Sequence, residues 1–176
     1  MNKLSLRKIT LSSLFAALTA VGAFITIPFS PVPLSLQTFF TLLAGMTLGS
    51  SIATTSQVIY VLLGAIGLPV FAGLRGGMGV LLGPTGGFLW GFIISAYLMG
   101  KLVESRKSEK NMTFYFLVGL EGTLFIYLIG ILQLSLVTAI GIKKALMVGL
   151  LPFVLGDIMK LIAASFLASK LKTLLK

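Results

Sequence analysis

The chain has 176 residues, of which 57% are apolar and only 10% charged, with a mean hydropathy of +1.08. Soluble domains carry about 25% charged residues, so this composition excludes an ordinary water-soluble domain and indicates an integral membrane protein. Cysteine and histidine are absent and the net charge is +10, which removes thiolate and imidazole metal sites, disulfide frameworks and histidine-based nucleophilic triads; no metal site and no cofactor is expected.

A spanning helix needs about 20 mostly apolar residues. Apolar stretches and their polar, glycine or proline interruptions predict six spans, at residues 9–27, 34–49, 52–67, 85–103, 113–140 and 147–167. The second and third are short enough for a re-entrant segment, and the positive-inside rule chooses between the two cases. With six spans, ten cations lie on the cytoplasmic side (Lys3, Arg7, Lys8, Lys101, Arg106, Lys107, Lys110, Lys170, Lys172 and Lys176) and three outside (Arg75, Lys143 and Lys144). Five spans would leave six inside and seven outside. The expected architecture is therefore an all-α, single transmembrane domain over residues 1–176, with both termini and the loop 101–111 cytoplasmic and a glycine-rich loop, 68–84, outside. Lys3, Arg7 and Lys8 ahead of an apolar run also suit a signal peptide, but no small-residue cleavage pattern follows and the run is long enough to span.

Along the chain, small residues four apart mark close helix contacts. Ser12, Ala16 and Ala20 form one such stripe, Gly45 and Gly49 another, and Gly83, Gly87 and Gly91 a third. The external loop carries Arg75 followed by Gly76 and Gly77, where glycines permit positive φ and close backbone approach; an anion fits such a setting, with Gly83-Pro84-Thr85 opening the next helix behind it. Glu121 lies about 12 Å from the cytoplasmic end of its span, and with no second acid or histidine nearby it is expected to make a structural hydrogen bond. Tyr127 and Gln133 lie nearer the outside and are candidate cavity residues. Asp157 and Lys160, three apart, share a face of the last span about 8 to 20 Å into the membrane. Each ionised group at the centre of a span costs about 2.5 to 3.5 kcal/mol, so each needs a partner or a wet cavity. Two readings are open: a mutual structural ion pair, or a polar pocket in which an acceptor-only and a donor-only group meet a ligand bearing both N–H and C=O.

No GxxxxGK[ST] loop occurs, so the chain has no phosphate cradle of that kind. Gly77-Met78-Gly79 opens like a dinucleotide fingerprint, but Leu82 stands where the third glycine belongs.

Residues 28–38 (PFSPVPLSLQT), 62–88 (LLGAIGLPVFAGLRGGMGVLLGPTGGF) and 156–160 (GDIMK) together resemble the BioY family, the biotin-binding S components of energy-coupling-factor transporters. The resemblance covers essentially the whole chain. It implies a six-helix S-component bundle in a bacterial or archaeal plasma membrane that takes up biotin from outside and passes it inward with a transmembrane coupling subunit and two ABC-type ATPases, which use the ATP. It further implies that Ala16 and Ala20 contact the coupling subunit and that Arg75, Asp157 and Lys160 bind substrate. Biotin offers a cyclic urea, a ring sulfide and a carboxylate. One assignment has Asp157 accepting from the urea N–H, Lys160 donating to its carbonyl and Arg75 on the carboxylate; the swapped orientation puts Lys160 on the carboxylate. Gln37, Thr38 and Tyr127 are further expected contacts, and the proline-rich and glycine-rich loops are expected lids.

The alternatives are an S component for another small vitamin, a stand-alone ion-coupled carrier of a small organic anion using Glu121 and Asp157, and an integral-membrane enzyme. The last lacks a nucleophile or metal set.

Overall fold

A computed structural model describes residues 3–28, 31–107 and 109–171. Lys172 and Lys176 of the expected cytoplasmic cluster, and Phe29 and Ser30 of the proline-rich loop, lie outside the described residues.

The chain folds as a helical bundle: α1 (Lys3–Phe24), α2 (Gln37–Leu48), α3 (Ser50–Ala65), α4 (Met78–Leu82), α5 (Gly86–Ser105), α6 (Met112–Thr138), α7 (Ile142–Gly149) and α8 (Val154–Leu171). Between α1 and α2 runs a small antiparallel ribbon, β1 (Thr26–Ile27) with β2 (Leu34–Ser35), in which Thr26 faces Ser35. Proline at 28, 31 and 33 bars a helix here, leaving extended backbone free to pair. α1, α5 and α6 are long and apolar enough to cross a membrane, and the pair α7–α8, bent by 59°, passes the same test as a unit. α2 and α3 are shorter apolar helices.

Two departures from the expected spans stand out. The glycine loop contains the one-turn helix α4. The span expected at 147–167 is broken: Ala139 and Gly141 take positive φ and end α6, α7 runs on its own, and α8 starts only at Val154, two residues after Pro152. Lys143 and Lys144 accordingly sit on exposed turns of α7.

Glycines decide how closely the helices pack. A methyl group at Gly87 would lie 2.5 Å from the Ile129 carbonyl oxygen of α6, and one at Gly91 2.9 Å from Ile126 Cα, so α5 and α6 touch backbone to backbone. Gly45 receives Met99 of α5 and Gly119 receives Met46 of α2. These stripes serve internal packing.

A buried polar knot joins α1, α2 and α3. Gln57 donates to Thr19 (3.3 Å) and to Ser56 (3.2 Å) and accepts from Thr41 (3.1 Å). In an apolar solvent such groups must satisfy one another. At the first turn of α3, Glu104 of α5 accepts from the Ser50 backbone N–H and hydroxyl, both at 2.8 Å, where a carboxylate answers the unpaired N–H groups and the helix dipole.

Ala16 requires a correction. Its side chain is 2% exposed and belongs to an apolar cluster with Tyr60, Val61 and Phe92; Ala20 packs on the same cluster. Ser12 is buried as well and donates to the Ile52 carbonyl. The Ser12, Ala16, Ala20 stripe therefore faces the bundle. Among the described residues, Ser13 and Ala17, one position away, are small residues on the outward side of α1.

Candidate substrate cavity

A cavity enclosing about 700 Å³, mouth included, opens between the β1–β2 ribbon, the glycine loop and helices α5, α6 and α8. Its mixed lining of apolar, polar and charged side chains suits a small organic ligand. Six expected site residues line it: Gln37, Thr38, Arg75, Tyr127, Asp157 and Lys160. Residues separated by up to 123 positions in sequence thus converge on one space.

The charged wall is built on α8. Asp157 and Lys160 are 8% and 9% exposed, and Lys160 Nζ stands 2.7 Å from Asp157 Oδ1. The Tyr127 hydroxyl of α6 donates to the other carboxylate oxygen, and the Tyr127 ring packs edge-on against Phe88. The two are thus a mutual ion pair, and the pair borders a void. Lys160 keeps two further N–H donors, and Asp157 keeps lone pairs that neither Lys160 nor Tyr127 occupies. As a pair they carry no net charge.

Arg75 lines the same cavity from the glycine loop. Its backbone forms a bridge with Phe71, N–H to C=O at 2.9 and 3.3 Å, which closes a tight turn at the cavity mouth. The side chain is exposed, and among the described residues it has no ion-pair partner. The mouth is therefore net positive, while the deep wall is neutral.

Gly76 and Gly77 do not line the cavity. They hold the loop: a side chain at Gly76 would strike the Leu68 carbonyl, and Gly77, at φ 92°, donates its N–H to Gly64 O at 2.7 Å. Gln133 also departs from expectation. It does not line the cavity; its amide donates to Leu81 O (2.7 Å) and Gly83 O (2.8 Å), clamping the approach to α5 against α6. Glu121 makes no structural hydrogen bond among the described residues, for its buried Oε2 has no partner. Both corrections have one cause: a residue's angular position on a helix is set by packing, which distance along the chain does not give.

Sequence reasoning passed over Ser35, Tyr60 and Phe71. Ser35 donates to Gln37 Oε1 at 2.7 Å, Tyr60 accepts from Gln37 Nε2, and Phe71 packs edge-on against Tyr60 at 5.6 Å while lining the cavity. The usable signal was Tyr60 itself, a phenol in a mainly apolar helix that has to find a partner once buried.

The sequence model of the BioY family matches residues 1–176. The chain belongs to the BioY family. The biotin transporter BioY of Thermotoga maritima is 44% identical, covering 96% of this chain and 98% of that one. A probable biotin transporter BioY of Pyrococcus horikoshii is 42% identical over 94% and 96% of the two chains. Among solved structures, the S-component for biotin from an ECF-type ABC transporter superposes with a TM-score of 0.90 at 29% identity, covering 98% of this chain and 94% of the other. This BioY-family chain is thus a multi-pass membrane protein with an S-component fold, and its relatives are transporters rather than enzymes.

Proposed function

We propose that this BioY-family chain is the biotin-capturing subunit of an ECF-type uptake system in a bacterial or archaeal plasma membrane. It binds biotin from the outside and releases it inward with a transmembrane coupling subunit and two ABC-type ATPases; ATP is used by those partners alone, and the chain itself needs no cofactor. The proposed topology has six spans and cytoplasmic termini, supported by the ten-to-three distribution of cations. Because the chain has no cysteine, single Met78→Cys and Ser105→Cys variants should react with an impermeant maleimide from opposite sides of the membrane.

What carries the ligand assignment is the charge division of the cavity. A neutral but hydrogen-bonding wall suits the neutral urea, with Asp157 accepting from its N–H and Lys160 donating to its carbonyl. The unneutralised Arg75 at the mouth suits the carboxylate. The swapped orientation would place a carboxylate beside Asp157 and leave Arg75 without a counter-charge. Gln37, Thr38 and Tyr127 complete the contacts.

Purified protein in detergent should bind radiolabelled biotin. Arg75→Ala should weaken binding of biotin far more than that of biotinamide, whose tail is uncharged, whereas Asp157→Asn should weaken both. Absence of biotin binding by the unmodified chain would refute the function, and equal losses for both ligands in Arg75→Ala would refute the orientation. Docking on the coupling subunit is proposed to run over Ser13 and Ala17, the outward small residues of α1.

A further inference from the structure

Gln37 is the first residue of α2, is buried, and lines the cavity. A primary amide presents N–H on one side and C=O on the other, and the two ends interchange by a half-turn about the last side-chain bond. What a ligand meets at Gln37 therefore depends on what holds the amide in place.

The surrounding groups settle its direction. Tyr60 is 0% exposed and its hydroxyl lies 3.0 Å from the Val70 carbonyl oxygen. A carbonyl only accepts, so the single phenolic proton goes to Val70. The Tyr60 oxygen then meets Gln37 as an acceptor, and Nε2 must be the atom that faces it. On the other side the Ser35 hydroxyl donates to Gln37 Oε1 at 2.7 Å. A reversed amide would set Oε1 against a phenolic oxygen with no proton left to give. One N–H and one carbonyl lone pair of Gln37 remain for a cavity occupant.

We infer that Tyr60 and Ser35 are positioning residues that orient the Gln37 amide toward the ligand and so set the donor and acceptor pattern presented by that wall of the cavity. Neither lies on α8, yet the same phenolic proton also tethers Val70, next to Phe71, whose backbone bridge with Arg75 closes the mouth. One hydroxyl group thus holds both the start of α2 and the loop that carries the cation. The inference rests on biotin being the ligand, as proposed above.

The test is a double-mutant cycle with purified full-length protein and radiolabelled biotin. Tyr60→Phe keeps the ring against Phe71 and removes only the hydroxyl; Ser35→Ala removes the second anchor. Each should weaken binding about tenfold, the scale of one hydrogen bond. In a Gln37→Met background, which has no amide to orient, adding Ser35→Ala should alter affinity less than about twofold, and adding Tyr60→Phe should cost clearly less than it does in the unmodified chain, because only its hold on Val70 is then lost. A role limited to fold integrity would lower affinity equally with and without the amide, so fully additive losses overturn the inference, as does unchanged affinity in both single variants. Should Tyr60→Phe fail to fold, the Ser35→Ala cycle tests the orientation alone, from a different element. An unmodified chain that binds no biotin overturns the ligand along with this inference; one that binds biotin while both single variants match it overturns the inference only.

Discussion

Tyr127 on α6 donates its hydroxyl proton to Asp157 on α8, so the carboxylate that pairs with Lys160 is held from a second helix as well. A hydrogen bond to a charged group contributes about 1.5 to 3 kcal/mol. Tyr127→Phe should therefore leave the bundle folded and its Phe88 packing intact while lowering biotin affinity by about tenfold to a hundredfold. Equilibrium binding in detergent measures this. Unaltered affinity would mean that Lys160 alone fixes the carboxylate.

The ion pair should respond asymmetrically to loss of one or both members. Removing a single partner from a buried pair leaves an uncompensated charge and costs about 3 to 5 kcal/mol, whereas replacing both with apolar groups is often neutral. Asp157→Leu and Lys160→Met should each lower the melting temperature in detergent, and the double variant should recover most of that loss. All three should fail to bind biotin. A double variant that melts as low as the singles would show that the pair stabilises the fold beyond mutual neutralisation.

Much of the helical layout was legible because a membrane chain writes it in one plain signal, apolar length between polar, glycine or proline breaks. The starts of α5 and α6 fall within a residue of expectation, and Asp157 with Lys160 stood out because charge in hydrocarbon demands a reason. Facing was harder to read. Ser12, Ala16 and Ala20 have the spacing of a docking stripe, but the same spacing serves internal packing, and only the positions of Tyr60 and Phe92 reveal which applies. Gln133 and Glu121 failed for the same reason. The Ser35, Gln37 and Tyr60 set was invisible because its members are uncharged and far apart in sequence, and its chemistry exists only once the ribbon brings Ser35 beside α2.

Glu121 offers a separate test of the ion-coupled alternative. Its Oε2 is buried without a partner among the described residues, and an unsatisfied buried polar group costs about 1 to 3 kcal/mol. If the carboxyl has no role in coupling, Glu121→Leu should raise the melting temperature, leave biotin affinity within about twofold, and support uptake normally once the coupling subunit and ATPases are present. Proton-driven uptake by the unmodified chain alone in liposomes, abolished by Glu121→Leu, would instead establish ion coupling.

The two faces of α1 separate folding from assembly. Ala16 is packed among Tyr60, Val61 and Phe92 with no room for a larger side chain, and overpacking a filled core costs about 1 to 3 kcal/mol or more. Ala16→Trp should therefore lower the melting temperature and biotin binding together. Ala17 is exposed on the outward side, where tryptophan disturbs nothing within the chain but blocks the close helix approach that small residues permit. Ala17→Trp should keep the unmodified melting temperature and biotin affinity, yet fail to co-purify with the coupling subunit and the ATPases. Pull-down of the reconstituted complex, beside binding assays on the isolated chain, distinguishes these outcomes; intact assembly by Ala17→Trp would move the docking face to another helix.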